Sequence, residues 1–179
     1  MQMTNEEMKT TIRNAQPGDT LRIVFNRDLF ARAYHSESIG ILKAIGAFMA
    51  EGHRGVYVRE DLKSADRWGY NAYYITILEG CDLNWLSEFM MNLGKYESIT
   101  PVVYLLGKYV VDQYVFIFYR TVGEREKHAD EWSRRFSSAR SCYITERAEM
   151  TLDDAIAVFE RNHDTNDPRD LFSQPSTSR

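Results

Sequence analysis

Apolar residues recur along the chain at two spacings, and the switches between them mark its elements. Met8, Ile12 and Ala15 fall at helical spacing behind Thr4-Asn5-Glu6-Glu7. That tetrad is a capping-box pattern, in which the threonine hydroxyl takes one orphan amide and the glutamate reaches back to the cap. A short helix is predicted, ended in a turn by Gln16-Pro17-Gly18-Asp19. The branched and aromatic run at 21–25 reads as a first strand. The widest apolar stripe lies at 36–51, where Ile39, Leu42, Ile45 and Met49 are flanked by Ile41, Ala44 and Phe48 and followed by Gly52. It predicts a helix with a C-terminal glycine. Strands follow at 56–59 and 72–78. Leu86, Phe89, Met90 and Leu93 then share a helical face behind Asp82 or Asn84, either of which can cap it.

Two strands are predicted at 100–106 and 109–120, with Gly107-Lys108 as the turn of a hairpin. In the second, Val115, Ile117 and Tyr119 alternate with Tyr114, Phe116 and Phe118, so both faces are apolar. Such a strand is covered on both sides, or it offers aromatics to a partner. A charged helix at 123–137 turns Ala129, Trp132 and Phe136 inward. A strand at 141–145 precedes a helix opened by Thr151-Leu152-Asp153-Asp154, with Ala155, Val158 and Phe159 inward. From residue 163 the chain turns polar and then serine-rich. Residues 1–162 therefore read as a single α+β domain and 163–179 as a flexible acidic, polar tail. The fold class is α+β, a mostly antiparallel sheet with helices packed on it. After the first helix the order is β-α-β-β-α-β and then β-α-β-α. The first six elements resemble the ferredoxin-like split βαβ arrangement, and the rest form a C-terminal extension.

Charge narrows the partners. The chain of 179 residues has a net charge of −4, with +1 over residues 1–60, −3 over 61–119, +2 over 120–147 and −4 over 148–179. No block is strongly basic, so the electrostatic footprint of a duplex-DNA binder is missing. Cys81 and Cys142 have no metal-ligand spacing and read as reduced thiols. The first residues lack the pattern of a secretory signal, and no apolar stretch is long enough to cross a bilayer. The expected compartment is the cytoplasm, or the host-cell cytoplasm if the origin is viral, with no membrane partner.

No phosphate-binding glycine loop, nucleophile elbow or zinc motif is present, so no catalytic residue, no metal ligand and no cofactor is assigned. Glu124, His128 and Glu131 share a helical face of the kind that can ligate a cation, yet they read as a solvated, salt-bridged surface. Asp61-Leu62-Lys63 resembles the D-x-K half of a metal-dependent nuclease site, a triplet that chance also supplies. Arg67-Trp68-Gly69-Tyr70-Asn71, followed by Ala72-Tyr73-Tyr74-Ile75, resembles the RNA-recognition-motif strand. That resemblance implies base stacking on Tyr70 and Tyr73, although Val24 stands where the family has an aromatic in its first strand. In the tail, Asp170-Leu171-Phe172 resembles part of the bacterial sliding-clamp-binding peptide, without its upstream Gln and Leu. These three residues are the candidate linear docking peptide.

The expected function is non-enzymatic binding of a protein partner through a sheet face bearing Tyr70, Tyr73, Tyr104, Tyr114 and Phe116. The eleven tyrosines and the surplus of Arg over Lys favour that class. A small viral or mobile-element accessory or inhibitory protein fits these features. Two alternatives stand beside it: binding of single-stranded RNA or DNA through the same aromatics, and an enzyme whose site is assembled from distant residues. A homo-oligomer formed through an exposed strand is a further expectation.

Overall fold

A computed structural model describes residues 2–26, 55–66, 69–70, 72–93, 96–136, 140–162 and 164–173. The helix expected at 36–51, on which the ferredoxin-like reading depends, lies outside the described residues. The described elements are α1 (Asn5–Arg13), β1 (Thr20–Phe25), β2 (Val56–Glu60), a 3-10 turn (Leu62–Ser64), β3 (Ala65–Asp66), β4 (Gly69–Tyr70), β5 (Ala72–Ile77) and α2 (Leu83–Leu93). They continue with β6 (Tyr96–Val110), β7 (Gln113–Tyr119), α3 (Val122–Arg135), β8 (Cys142–Thr151), α4 (Leu152–Arg161) and α5 (Asp170–Ser173). Among the described residues the main sheet has six strands in the order β2-β5-β1-β6-β7, with β8 also on β6, and every pairing is antiparallel. The class is α+β, with helices packed against the sheet.

Where length favours one domain, the chain forms two compact units, Met1–Pro101 and Val102–Arg179. Strand β6 runs through both. Its first part, to Pro101, pairs with β1, and its part from Val102 pairs with β7 and β8.

In the first unit, α1 forms because its end groups are satisfied locally. The Glu7 amide donates to Thr4 Oγ1 at 3.2 Å, and the Thr4 amide donates to Glu7 Oε2 at 2.8 Å. Asp82 caps α2, its Oδ1 accepting from the Trp85 amide at 3.1 Å. Met8 and Ile12 of α1 and Leu86 and Met90 of α2 are buried over Leu21, Ile23 and Phe25 of β1 and Ile75 and Ile77 of β5. Alternation in β1 and β5 sends every second side chain into this core. Across the helices, Glu88 takes Lys9 at 3.1 Å and Arg13 at 3.0 Å.

In the second unit, β6 carries helices on both faces. Val103 and Leu105 of β6, with Phe118 of β7, pack with Ala155, Val158 and Phe159 of α4. From the other face, α3 brings Arg125 against Tyr104 and His128 against Tyr119. The doubly apolar pattern of 115–119 thus reflects cover on both sides, while Gln113 and Tyr114 stay exposed. Thr121 and Thr151 cap α3 and α4 through the amides of Glu124 and Asp154.

The hairpin turn lies four residues later than the expected Gly107-Lys108. Strand β6 continues through both residues to Val110, and the turn is Val111-Asp112, with φ of 43° and 68°. Glycine is used at 107 for close approach. A Cβ there would stand 2.9 Å from Thr145 Oγ1, 3.1 Å from Glu146 Cβ and 3.2 Å from Phe116 Cε1.

Residues 164–173 are packed where the composition favours a free tail. Asn166 hydrogen-bonds the backbone of Phe118. Arg120 Nη1 donates to the Leu171 carbonyl at 3.1 Å, and its guanidinium lies 4.8 Å from the centre of the Phe172 ring. Leu171 and Phe172 join the second core. As a docking peptide, Asp170-Leu171-Phe172 needs both apolar side chains free, and both are engaged here.

Candidate functional site

The residues expected to form one surface differ in exposure where their side chains are described. Tyr73 is 6 % exposed and meets Phe25 edge-on at 5.5 Å, inside the first core. Tyr104 is 4 % exposed, with the Arg125 guanidinium 5.3 Å from its ring centre. Phe116 packs against the second core. The Tyr70 side chain lies outside the described residues. Tyr114 alone of the described four is open to solvent, at 62 %. Base stacking needs exposed ring faces, and Tyr73 has none to offer.

Tyr114 instead belongs to a cross-strand row that the chain order hides. Register places Tyr109 opposite both Tyr114 of β7 and Tyr143 of β8. Ring centroids are 5.1 Å apart in each pair, at 60° and 31°, within the range where aromatic pairs stabilise one another. The row stands at the hairpin end of the sheet, beside Val111, which is 65 % exposed, and Tyr143 is 48 % exposed.

The turn next to the row is held in an unfavourable conformation. A β-branched residue at positive φ is rare, because its Cβ crowds the backbone. Val111 accepts this conformation with its side chain in solvent. Local bonds hold it there: the Val111 amide donates to the Ser141 carbonyl at 3.0 Å, and Tyr109 Oη donates to Asp112 Oδ1 at 2.9 Å. The bond to Asp112 is the main reason the Tyr109 phenol is pushed above its ordinary value.

A second constellation lies between β6 and α3. Lys108 is 6 % exposed, its Nζ 3.1 Å from His128 Nε2 and 4.2 Å from the centre of the Trp132 ring. Trp132 Nε1 is buried with no hydrogen-bond partner among the described residues. Among the described residues, no carboxylate pairs with Lys108. Burial pushes the Lys108 amine down, and burial together with the Lys108 charge pushes His128 down against the pull of Glu131. Burial, aided by Glu124, pushes Tyr119 up to about 12. His128 therefore faces Lys108 as a neutral imidazole. No cluster of three metal-ligating side chains exists among the described residues, so Glu124, His128 and Glu131 do not assemble into one.

These shifts fix a pH dependence. The unfolded chain holds the Lys108 proton more tightly than the folded one does, so stability rises with pH up to the ordinary lysine value of 10.5. Urea unfolding at pH 7, 8.5 and 10 should show the wild type gaining on Lys108→Met as pH rises. A difference that stays flat across this range rules the penalty out.

Asp61 of the D-x-K triplet is a structural residue. Its Oδ2 accepts from Arg22 Nε at 3.1 Å, and its Oδ1 accepts from the Lys63 amide at 3.1 Å, capping the 3-10 turn. Among the described residues, no helix is long and apolar enough to cross a membrane. Compared with protein-family models, curated proteins and solved structures, the chain matches none.

Proposed function

We infer that this chain is a non-enzymatic interaction module that holds a protein partner at the tip of the β6–β7 hairpin. The observation that carries the reading is the row Tyr143–Tyr109–Tyr114, exposed at its two outer rings, beside the solvent-facing Val111. Tyrosine is favoured at the energetic centre of protein interfaces, because it offers large contact area and a polar end at low entropic cost. Here the three rings brace one another before any partner arrives. The strained turn is held in place by its own hydrogen bonds, so little ordering remains to be done on binding. An accessory or inhibitory role, which needs a rigid projecting surface and no catalysis, suits this arrangement.

Tyr114→Ser with Tyr143→Ser removes the two exposed rings without touching the bond from Tyr109 to Asp112. Tyr57→Ser, on β2, serves as the surface control. Proteins retained from the native host by the wild type are identified, purified and titrated against all three chains. The double variant should bind at least about tenfold more weakly, and the control should bind as the wild type does. Equal affinity for wild type and double variant overturns the reading. So does a dimer in sedimentation that the double variant abolishes, which would make the row a contact between copies.

A further inference from the structure

Strand β7 offers a second and more specific handle. It closes one end of the sheet order, and its sequence, Gln113 to Tyr119, contains no charged residue. Edge strands are normally guarded by charge, proline or a bulge, because their outward backbone groups invite another strand. Strand β8, which among the described strands pairs only with β6, is guarded in this way by Glu146, Arg147 and Glu149. Among the described residues, strand β7 is guarded at a single residue. The Phe118 amide donates to Asn166 Oδ1 at 2.8 Å, and Asn166 Nδ2 donates to the Phe118 carbonyl at 2.9 Å. One side-chain amide thus makes the two-point contact that a neighbouring strand would make.

This contact also sets the phase of the whole edge. In an antiparallel pair, residues alternate between those that bond to the partner strand and those that point away from it. Phe118 points away from β6. By the unbroken register from Tyr104↔Tyr119 to Val110↔Gln113, Phe116 and Tyr114 point away too. Among the described residues, neither makes an outward backbone bond. Beside them, Gln113, Tyr114, Val115 and Asp164 line an open pocket. Asp164 puts a carboxylate at its wall, within a C-terminal segment of net charge −4 over residues 148–179.

We propose that the β7 edge at Tyr114 and Phe116 takes an extended, basic segment of a protein partner as an added strand, continuing the ladder where the Asn166 amide stops. Main-chain bonds supply the affinity in this mode of recognition, and flanking side chains supply the choice of sequence. A lysine or arginine beside Asp164 is the favoured side chain. The proposal rests on the protein-binding reading above and gives its partner a chemistry.

The probe is a blocked pentapeptide alternating Thr and Val, with Lys at its centre. It is compared with a Glu-centred version and with one N-methylated along one edge. Amide exchange and chemical shifts at Tyr114 and Phe116 are followed by NMR. The Lys peptide should protect both amides. The Glu peptide should bind about threefold more weakly, a difference that Asp164→Asn removes. The N-methylated peptide should give no protection. Tyr114→Pro deletes an outward donor and leaves the bonds to β6 intact, so it should abolish peptide binding. If that variant fails to fold, N-methylation carries the same test. Absence of protection at millimolar peptide, protection indifferent to N-methylation, or protection that grows with protein concentration alone alongside a dimer mass would each overturn the proposal. Loss of the identified partner on Tyr114→Ser with Tyr143→Ser, without peptide protection, sinks the added strand and leaves the interaction module standing.

Discussion

Phe118→Ala should lower the stability of the second unit by about 3–5 kcal/mol, among the largest effects of any single substitution. The ring is 1 % exposed and stands at the centre of a core formed with Val103, Leu105 and Ala155. Its neighbours come from separate elements: β6 below, α4 above, and Leu171 and Phe172 from the C-terminal segment. None of these can follow the shrinking side chain without leaving its own contacts, so a cavity remains and adds to the lost transfer free energy. The backbone at this residue is bonded to Asn166, and its chain neighbours Ile117 and Tyr119 are paired with β6, which limits collapse further. Urea unfolding followed by fluorescence and by circular dichroism measures the change. A loss below about 1.5 kcal/mol would mean that the C-terminal segment moves to fill the space, and that residues 164–173 are held less firmly than their contacts imply.

The second large effect is expected at Asp61. Asp61→Ala should cost about 2–3 kcal/mol, less than the removal of one partner from a fully buried ion pair, because Arg22 retains some access to water. The carboxylate side chain is 9 % exposed and that of Arg22 is 28 % exposed, with Arg22 Nη2 3.1 Å from Oδ2. Alanine would leave the guanidinium without its anion in the middle of β1, and the Lys63 amide without its cap. The surrounding loop is bonded tightly. Ser64 Oγ donates to the Asp61 carbonyl at 2.6 Å and accepts from the Ala72 amide at 3.0 Å, while the Asp61 amide donates to the Ala72 carbonyl at 3.1 Å. Asp61→Asn keeps an acceptor for Lys63 and should recover part of the loss. Equal stability of wild type and Asp61→Ala in urea would remove the structural role and return Asp61 to the pool of residues free for chemistry.

Much of the local structure was legible in the chain. Thr4 and Glu7 announce α1, Asp82 announces α2, and Thr151 announces α4, because caps are satisfied within three residues and depend on nothing distant. The inward faces Met8–Ile12 and Leu86–Met90 follow from the helical period alone. The hairpin turn was misplaced for an equally local reason. Gly107 carries a turn signal, but the glycine answers a crowding by Phe116, Thr145 and Glu146 that no short-range pattern contains. The true turn, Val111-Asp112, has a β-branched residue where turn chemistry calls for Asn or Gly.

The candidate site was less legible. Tyr109, Tyr114 and Tyr143 are separated by 5 and 29 residues, and only the register of β6 with both neighbours puts them in one row. Tyr73 and Tyr104 looked like surface because alternation tells which residues share a face, never what covers it. Asn166 shows the same limit in a polar residue: nothing in Thr165-Asn166-Asp167 signals that its amide will stand in for a strand.

By itself, then, the sequence determined an α+β chain with capped amphipathic helices, antiparallel strands and a strand apolar on both faces. Tertiary structure decided that α3 and α4 cover those faces, that the Asp-Leu-Phe segment packs inward, and that Tyr114, Tyr143 and part of the β7 edge remain in water. The reason is physical. Periods and caps are set by bonds a few residues long, whereas cover is set by long-range packing, which a linear pattern records only as a demand for a partner.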